Sequence, residues 1–367
     1  MDRMKKLYIH CGLHKTGTTA LQIFLRNNTE RLRAAGILIP SAGCVYSVAS
    51  GHHNIAWQIT RDRRFDKQFG DIEALADEIR NFSGDILLSS EDFEGSLGRP
   101  DVLAPLVRFA ISTQRELVLI IYVRNQISYL ESLYCEMLGH GFGEEYKTMA
   151  EQAIDQKMCL MKEWVFHFDY RGLALTVASI PNVRLVFRNF HTLKDNSVVA
   201  DFMSILRIDP GTVGEAVRLR SNERDTAAVS LSLFYQNRLG RPLNSAEIEV
   251  VEHLCRRNQL QMRTGQGLRD ALVRTFRKTN KRFCRNYKVP TEGLIFDDGW
   301  DDAMGLSVRP ERFFSFETQC AIREIASLRM RLDLPDDKQT AAMAEAEHAV
   351  EAWWTNEPAE PMVLPKA

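Results

Sequence analysis

The chain has 367 residues, 26% of them charged, and a formal net charge of −1, because 47 Lys and Arg nearly cancel 48 Asp and Glu. That balance gives no overall field to recruit nucleic acid or an anionic membrane, so any anion site has to be built locally. Seven cysteines scattered without a CxxC pair argue against a disulfide framework or a zinc site and lead us to expect a reducing, cytoplasmic setting.

At the amino terminus, MDRMKKLYIHCG carries an apolar run too short for a signal peptide, and it leads straight into a glycine turn, as a buried strand does. Nowhere do eighteen apolar residues run together, so no membrane span is expected. Apolar runs Leu7–Cys11 (LYIHC) and Gly36–Pro40 (GILIP) flank TALQIFLRNNTERLRAAG, where Leu21, Leu25 and Leu32 fall at helical spacing. DIEALADEIRNF reads as a helix, Asp85–Ser90 (DILLSS) as a strand and DVLAPLVRFAI as a helix. Glu116–Arg124 (ELVLIIYVR) and Val183–Phe190 (VRLVFRNF) complete the strands. These runs are continuous rather than alternating, which predicts strands buried on both faces. Strands alternating with helices predict an α/β protein with a central parallel sheet.

After Phe190 helical stretches dominate, as in SVVADFMSILRI, TAAVSLSLFYQNRLG and LRDALVRTFRKTNKRFCRNY. We therefore expect a single domain over 1–335, with an α/β core over 1–190 and a mostly helical elaboration over 191–335. The Ala-, Glu- and Pro-rich end, 336–367, reads as a tail.

The stretch CGLHKTGTTAL, Cys11 to Leu21, carries the chemistry. Gly12 and Gly17 have the spacing of a nucleotide-triphosphate loop, but Thr18 stands where that loop places its lysine, and Lys15 lies inside. A strand, a glycine turn and a helix start still make an anion site, since unpaired N–H groups and the helix dipole converge there. A P-loop kinase or ATPase would account for the glycines, with Glu91 or Asp92 as the acid after an apolar strand. Thr18 in place of lysine speaks against it.

Lys15-Thr16-Gly17-Thr18-Thr19 resembles the 5'-phosphosulfate loop of the sulfotransferases that use 3'-phosphoadenosine 5'-phosphosulfate (PAPS), which reads Lys-x-Gly-Thr-Thr after the first strand. The resemblance implies a P-loop-like three-layer fold, a nucleotide held by these five residues, and Lys15 at the oxygen bridging phosphate and sulfate. A sulfuryl group carries less charge than a γ-phosphoryl group, so fixed donors are expected to serve without a metal. The second half of that family's site is an arginine at a strand end with a serine eight residues on. IIYVRNQISYLESLYCEML matches it with Arg124 and Ser132, followed by Tyr134. It departs from the family at Gln126, where proline is frequent. Arginine grips a phosphate bidentately and serine adds one hydrogen bond, which implies that this pair holds the 3'-phosphate.

Glycan-modifying members, such as the heparan-type enzymes, place a glutamate base at a strand end between the two motifs. Glu91 in DILLSSEDF takes that position and Asp92 is its neighbour. Cytosolic small-molecule members use histidine, so SGHHNIAWQI, with His52, His53, Asn54 and Trp57, also counts. His53 is expected on the acceptor side, and His14 is expected to be exposed. Farther on, LRSNERDTAAVSLSLFYQNRLG and TNKRFCRNYKVPTEGLIFDD are similar to parts of bacterial sulfotransferase-like proteins, and Lys281, Arg282 and Arg285 read as a solvated helix face. The expected activity is sulfuryl transfer to a hydroxyl or amine of a glycan or glycolipid. A module that holds the product nucleotide without catalysis remains the alternative from another class.

Overall fold

The computed structural model describes residues 3–46, 50–193, 197–209, 227–256, 261–295, 307–330 and 336–355. In chain order the first seven strands are β1 Lys5–His10, β2 Ile37–Leu38, β3 Asp85–Ser89, β4 Arg115–Val123, β5 Met158–Met161, β6 Trp164–His167 and β7 Val183–Asn189. Five of them form one parallel sheet in the order β2-β3-β1-β4-β7, with Leu7 opposite Ile86 and Leu117 in register. The protein is thus α/β around a central parallel sheet, and mostly helical outside it.

Side chains of a strand alternate between faces, so a continuous apolar strand needs cover on both. On one face Tyr8, Leu87, Val118, Ile120 and Tyr122 pack with Leu21, Phe24 and Leu25 of the helix Thr18–Asn27 and with Phe202 and Leu206 of Val198–Leu206. Their alternates Leu7, Ile9, Ile86, Leu88, Leu119 and Ile121 are fully buried on the other. There the helices Pro100–Ser112 and Tyr170–Ala178 lie against β4 and β7. β1 sits between β3 and β4, where the chain winds first one way and then the other. In open α/β sheets that switch point, at the carboxyl ends of the strands, is where ligands bind.

The long helix expected from TALQIFLRNNTERLRAAG is two, Thr18–Asn27 and Thr29–Ala34. Asn28 breaks it, leaving helical φ at −118° and donating its side-chain amide to the Phe24 carbonyl at 3.0 Å. The antiparallel hairpin β5–β6 had no sequence signal, since two four-residue strands are too short to show a period.

Contacts gather the described residues into two units. The first is Met1–Tyr129, Gln156–Arg220 and Arg274–Asp297, and the second Leu130–Asp155, Ser221–Val273 and Asp298–Ala367. The change near residue 190 from α/β core to helical elaboration falls inside the first, because Val198–Leu206 closes one face of the sheet and a later segment is tied to the strand ends. Asn125 donates to the Gly293 carbonyl at 2.9 Å, and Asn189 to the Pro290 and Glu292 carbonyls at 3.0 and 2.8 Å.

In the second unit the expected tail is corrected in its first part. Asp336–Thr355 is a helix whose end is anchored: Trp354 is buried, its indole donates to Thr318 Oγ1 at 3.1 Å, and its carbonyl accepts from Arg309 N–H at 3.0 Å. Composition averages these Ala and Glu residues into a weakly apolar run, whereas the buried Ala346, Val350 and Trp354 decide the packing. Residues 356–367, and the LRSNERDT part of the similarity noted above, lie outside the described residues. Among the described residues no helix is long and apolar enough to cross a membrane.

Candidate functional site

The turn after β1 is held by its own residues. Cys11 N–H donates to the Ile120 carbonyl at 2.9 Å, continuing the ladder one residue past the strand. Gly12 has no room for a side chain, since an added Cβ would lie 2.7 Å from His10 Nε2 and 3.0 Å from Thr18 Oγ1. Gly12→Ala is therefore expected to destabilise the fold by about 1 to 3 kcal/mol, read in a denaturant melt. Thr16 is fully buried and spends its hydroxyl on the Leu13 carbonyl at 2.6 Å, so its side chain serves the loop itself. Gly17 starts the helix at φ 83°, a left-handed conformation suited to glycine, and no side chain caps the N–H groups that follow.

Two features then point at an anion. Lys15 also sits at positive φ, 62°, where a residue with a Cβ stores backbone strain of the kind found at ligand clamps. Thr18, only 5% exposed, keeps its Oγ1 without a hydrogen-bond partner among the described residues. Thr19 is half-buried beside it. Below the loop, burial pushes His10 down to about 3, so this imidazole is neutral, with Nδ1 on Ser89 Oγ at 2.9 Å.

Arg124 leaves the end of β4 and meets this loop. Its Nη1 donates to the Lys15 carbonyl at 3.1 Å, joining residues 109 positions apart, and its Nε donates to Ser128 Oγ at 3.1 Å. Ser132, half-buried, lies one helical turn beyond Ser128 on Gln126–Gly139 and is counted with the second unit. The serine that the structure brings to the guanidinium is thus the one four residues on. Gln126, where the family favours proline, exchanges two hydrogen bonds with Asn280 at 3.0 and 2.9 Å, a role proline cannot fill.

At the end of β3 the two acids part company. Asp92 accepts from His53 Nδ1 at 2.9 Å, Trp57 Nε1 at 3.0 Å, Trp164 Nε1 at 3.1 Å and Arg64 at 3.4 Å. Burial alone would raise its carboxyl, but the His53 hydrogen bond and the charges of His53, His14 and Arg64 hold it well below the usual carboxylate range. A carboxylate so occupied is a poor proton acceptor and a good anchor for the side chains around it. Glu91 is half-buried, and its Oε2 accepts from Gln22 Nε2 at 2.8 Å. His53 is brought to the same place. Burial pulls its imidazole down, yet the Asp92 hydrogen bond and the charges of Glu91 and Asp92 outweigh that and raise it above 6.5. With Nδ1 between Asp92 and Ser90 Oγ, proton exchange is left to Nε2. His52 is a different case, neutral at about 4 through burial, with Nδ1 accepting from Ser89 N–H and Nε2 donating to the Pro40 carbonyl.

The largest residue missed by sequence reasoning is Glu94. It is fully buried, and its carboxylate accepts from His14 N–H at 3.2 Å, His14 Nδ1 at 3.0 Å, Tyr129 hydroxyl at 3.0 Å and His167 N–H at 2.8 Å. His14, expected to be exposed, is buried because of it. Three partner residues from three distant parts of the chain left no linear signal. Lys281, Arg282 and Arg285 are exposed, as a solvated face requires. Among the described residues no group of three His, Cys, Asp or Glu could hold a metal.

No family model, curated protein or solved structure matches this chain significantly.

Proposed function

We propose that the protein is a PAPS-dependent sulfotransferase, with a P-loop-like three-layer fold and a cytoplasmic setting in keeping with its scattered cysteines. The observation that carries this reading is the meeting of Arg124 with the Lys15 loop, because a bisphosphorylated nucleotide needs two anion grips side by side. An uncapped helix start and the unpartnered Thr18 hydroxyl fit the 5' group, and backbone N–H groups of Thr16, Gly17 and Thr19 adjoin them. Arg124 fits the 3'-phosphate, with Ser132 on the helix that follows. PAPS supplies the activated sulfuryl group. Lys15 neutralises charge on the bridging oxygen, and Glu91 takes the proton from the attacking hydroxyl or amine of a glycan or glycolipid, with His53 on the acceptor side.

The experiment is a binding comparison. Arg124 reads a group that AMP lacks, so 3'-phosphoadenosine 5'-phosphate should bind at least about tenfold to a hundredfold more tightly than AMP, given roughly 1.5 to 3 kcal/mol per charge-assisted hydrogen bond. Equal affinities by calorimetry would remove the assignment. Magnesium-dependent ATP turnover would move it to a kinase or ATPase, and nucleotide preference without any transfer from labelled PAPS to a panel of glycans, glycolipids and phenols would leave a binding module.

A further inference from the structure

Arg124 is held at two atoms before any ligand contact is counted. Ser128 Oγ accepts from Nε at 3.1 Å and the Lys15 carbonyl from Nη1 at 3.1 Å, while the guanidinium carbon lies 5.7 Å over the Phe190 ring. Ser128 is itself fixed, since it is only 8% exposed and donates its own hydroxyl proton to the Asn125 carbonyl at 3.1 Å. That leaves its lone pairs to the arginine. Phe190 is also the ring that an added Cβ on Gly17 would meet at 3.5 Å, so the guanidinium and the glycine that starts the loop helix share one wall. The peptide unit is planar, so the Lys15 carbonyl turned toward Arg124 turns the Thr16 N–H the opposite way. The position of Arg124 therefore constrains the strained residue from which the Lys15 side chain departs.

We propose that Ser128 is a positioning residue that makes the two halves of the nucleotide site one cooperative unit: by holding Arg124 against the Lys15 carbonyl, it couples recognition of a 3'-phosphate to the shape of the 5' loop. The inference rests on the sulfotransferase reading of Lys15 and Arg124. Coupling between two subsites is reciprocal, so a nucleotide with both phosphates gains more than the separate gains from each.

The test is a set of calorimetric affinities for 3'-phosphoadenosine 5'-phosphate, AMP and adenosine 3'-phosphate, in the full chain and in Ser128→Ala, Arg124→Lys and the double variant. Ser128→Ala is expected to weaken the bisphosphate about tenfold, one lost hydrogen bond to a charged group, to weaken adenosine 3'-phosphate less and to leave AMP unchanged, whereas an equal loss for adenosine 3'-phosphate and the bisphosphate overturns the coupling. In the Arg124→Lys background, where no Nε remains to be held, Ser128→Ala should cost nothing further. A merely structural serine would weaken all three nucleotides together, or add its loss to that of Arg124→Lys, and either result overturns the proposal. A wild-type chain that does not prefer the bisphosphate over AMP ends the parent reading. A normal wild-type preference that survives Ser128→Ala undiminished ends this inference alone.

Discussion

On the proposed sulfotransferase reading, Lys15→Ala is expected to slow sulfuryl transfer by about 2 to 4 kcal/mol, a thirtyfold to thousandfold effect, while weakening 3'-phosphoadenosine 5'-phosphate much less. The asymmetry follows from where charge grows. As the bond to sulfur opens, the electron pair stays on the bridging oxygen, so an ammonium beside it gains more in the transition state than in the bound ground state. The backbone makes the comparison clean. Lys15 stands at φ 62°, and alanine keeps the Cβ that strains this conformation, so the loss reports on the ammonium and not on a relaxed turn. Lys15→Gly, which relieves the strain, should be the more stable protein in a melt and no faster an enzyme. Lys15→Arg should not restore full rate, because a planar fork does not replace a compact ammonium in a tight turn. Transplanting the lysine to position 18 is no control, since Thr18 is buried against Gly12. Single-turnover rates set against product-nucleotide affinity decide the matter: an affinity that falls as far as the rate makes Lys15 a binding residue only.

What was legible in the sequence was local. The five sheet strands stand within a few residues of their apolar runs, because burial on both faces writes itself into consecutive residues. The loop was legible for the same reason, with Gly12, Lys15, Gly17 and Thr18 inside seven positions. What was not legible depends on partners distant in the chain. Asp92 looks like any acid after a strand until His53, Trp57, Arg64 and Trp164 converge on it. Glu94 looks like a helix-surface residue until His14, Tyr129 and His167 surround it. Ser128 has no signal of its own, because the family's spacing points to Ser132, whereas helix geometry puts the residue at four in reach of the guanidinium.

Glu91→Gln is expected to cut turnover by about a hundredfold or more, with nucleotide affinity nearly unchanged, because it keeps the shape and removes the proton acceptor. Gln22 donates to Glu91 and a glutamine side chain still accepts there, so the Gln22 contact survives the change. Asp92→Asn should act differently. Its carboxylate faces four donors and holds a depressed pKa, so the neutral amide leaves His53 and Arg64 without their charge partner, and the loss appears first as stability. The pH profile separates Glu91 from its neighbour His53. An imidazole base must be neutral to accept a proton, and Asp92 and Glu91 raise this one, so a histidine mechanism gives a rate that climbs with pH through a midpoint above 6.5. In Asp92→Asn, with the raising partner gone, that midpoint would move down. The expected result is lost activity in Glu91→Gln and retained activity in His53→Gln, with no midpoint above 6.5 that moves down in Asp92→Asn. A climbing profile whose midpoint falls in Asp92→Asn, with His53→Gln as the inactive variant, transfers the proton to His53 Nε2 and leaves Glu91 as a hydrogen-bonding partner of the acceptor.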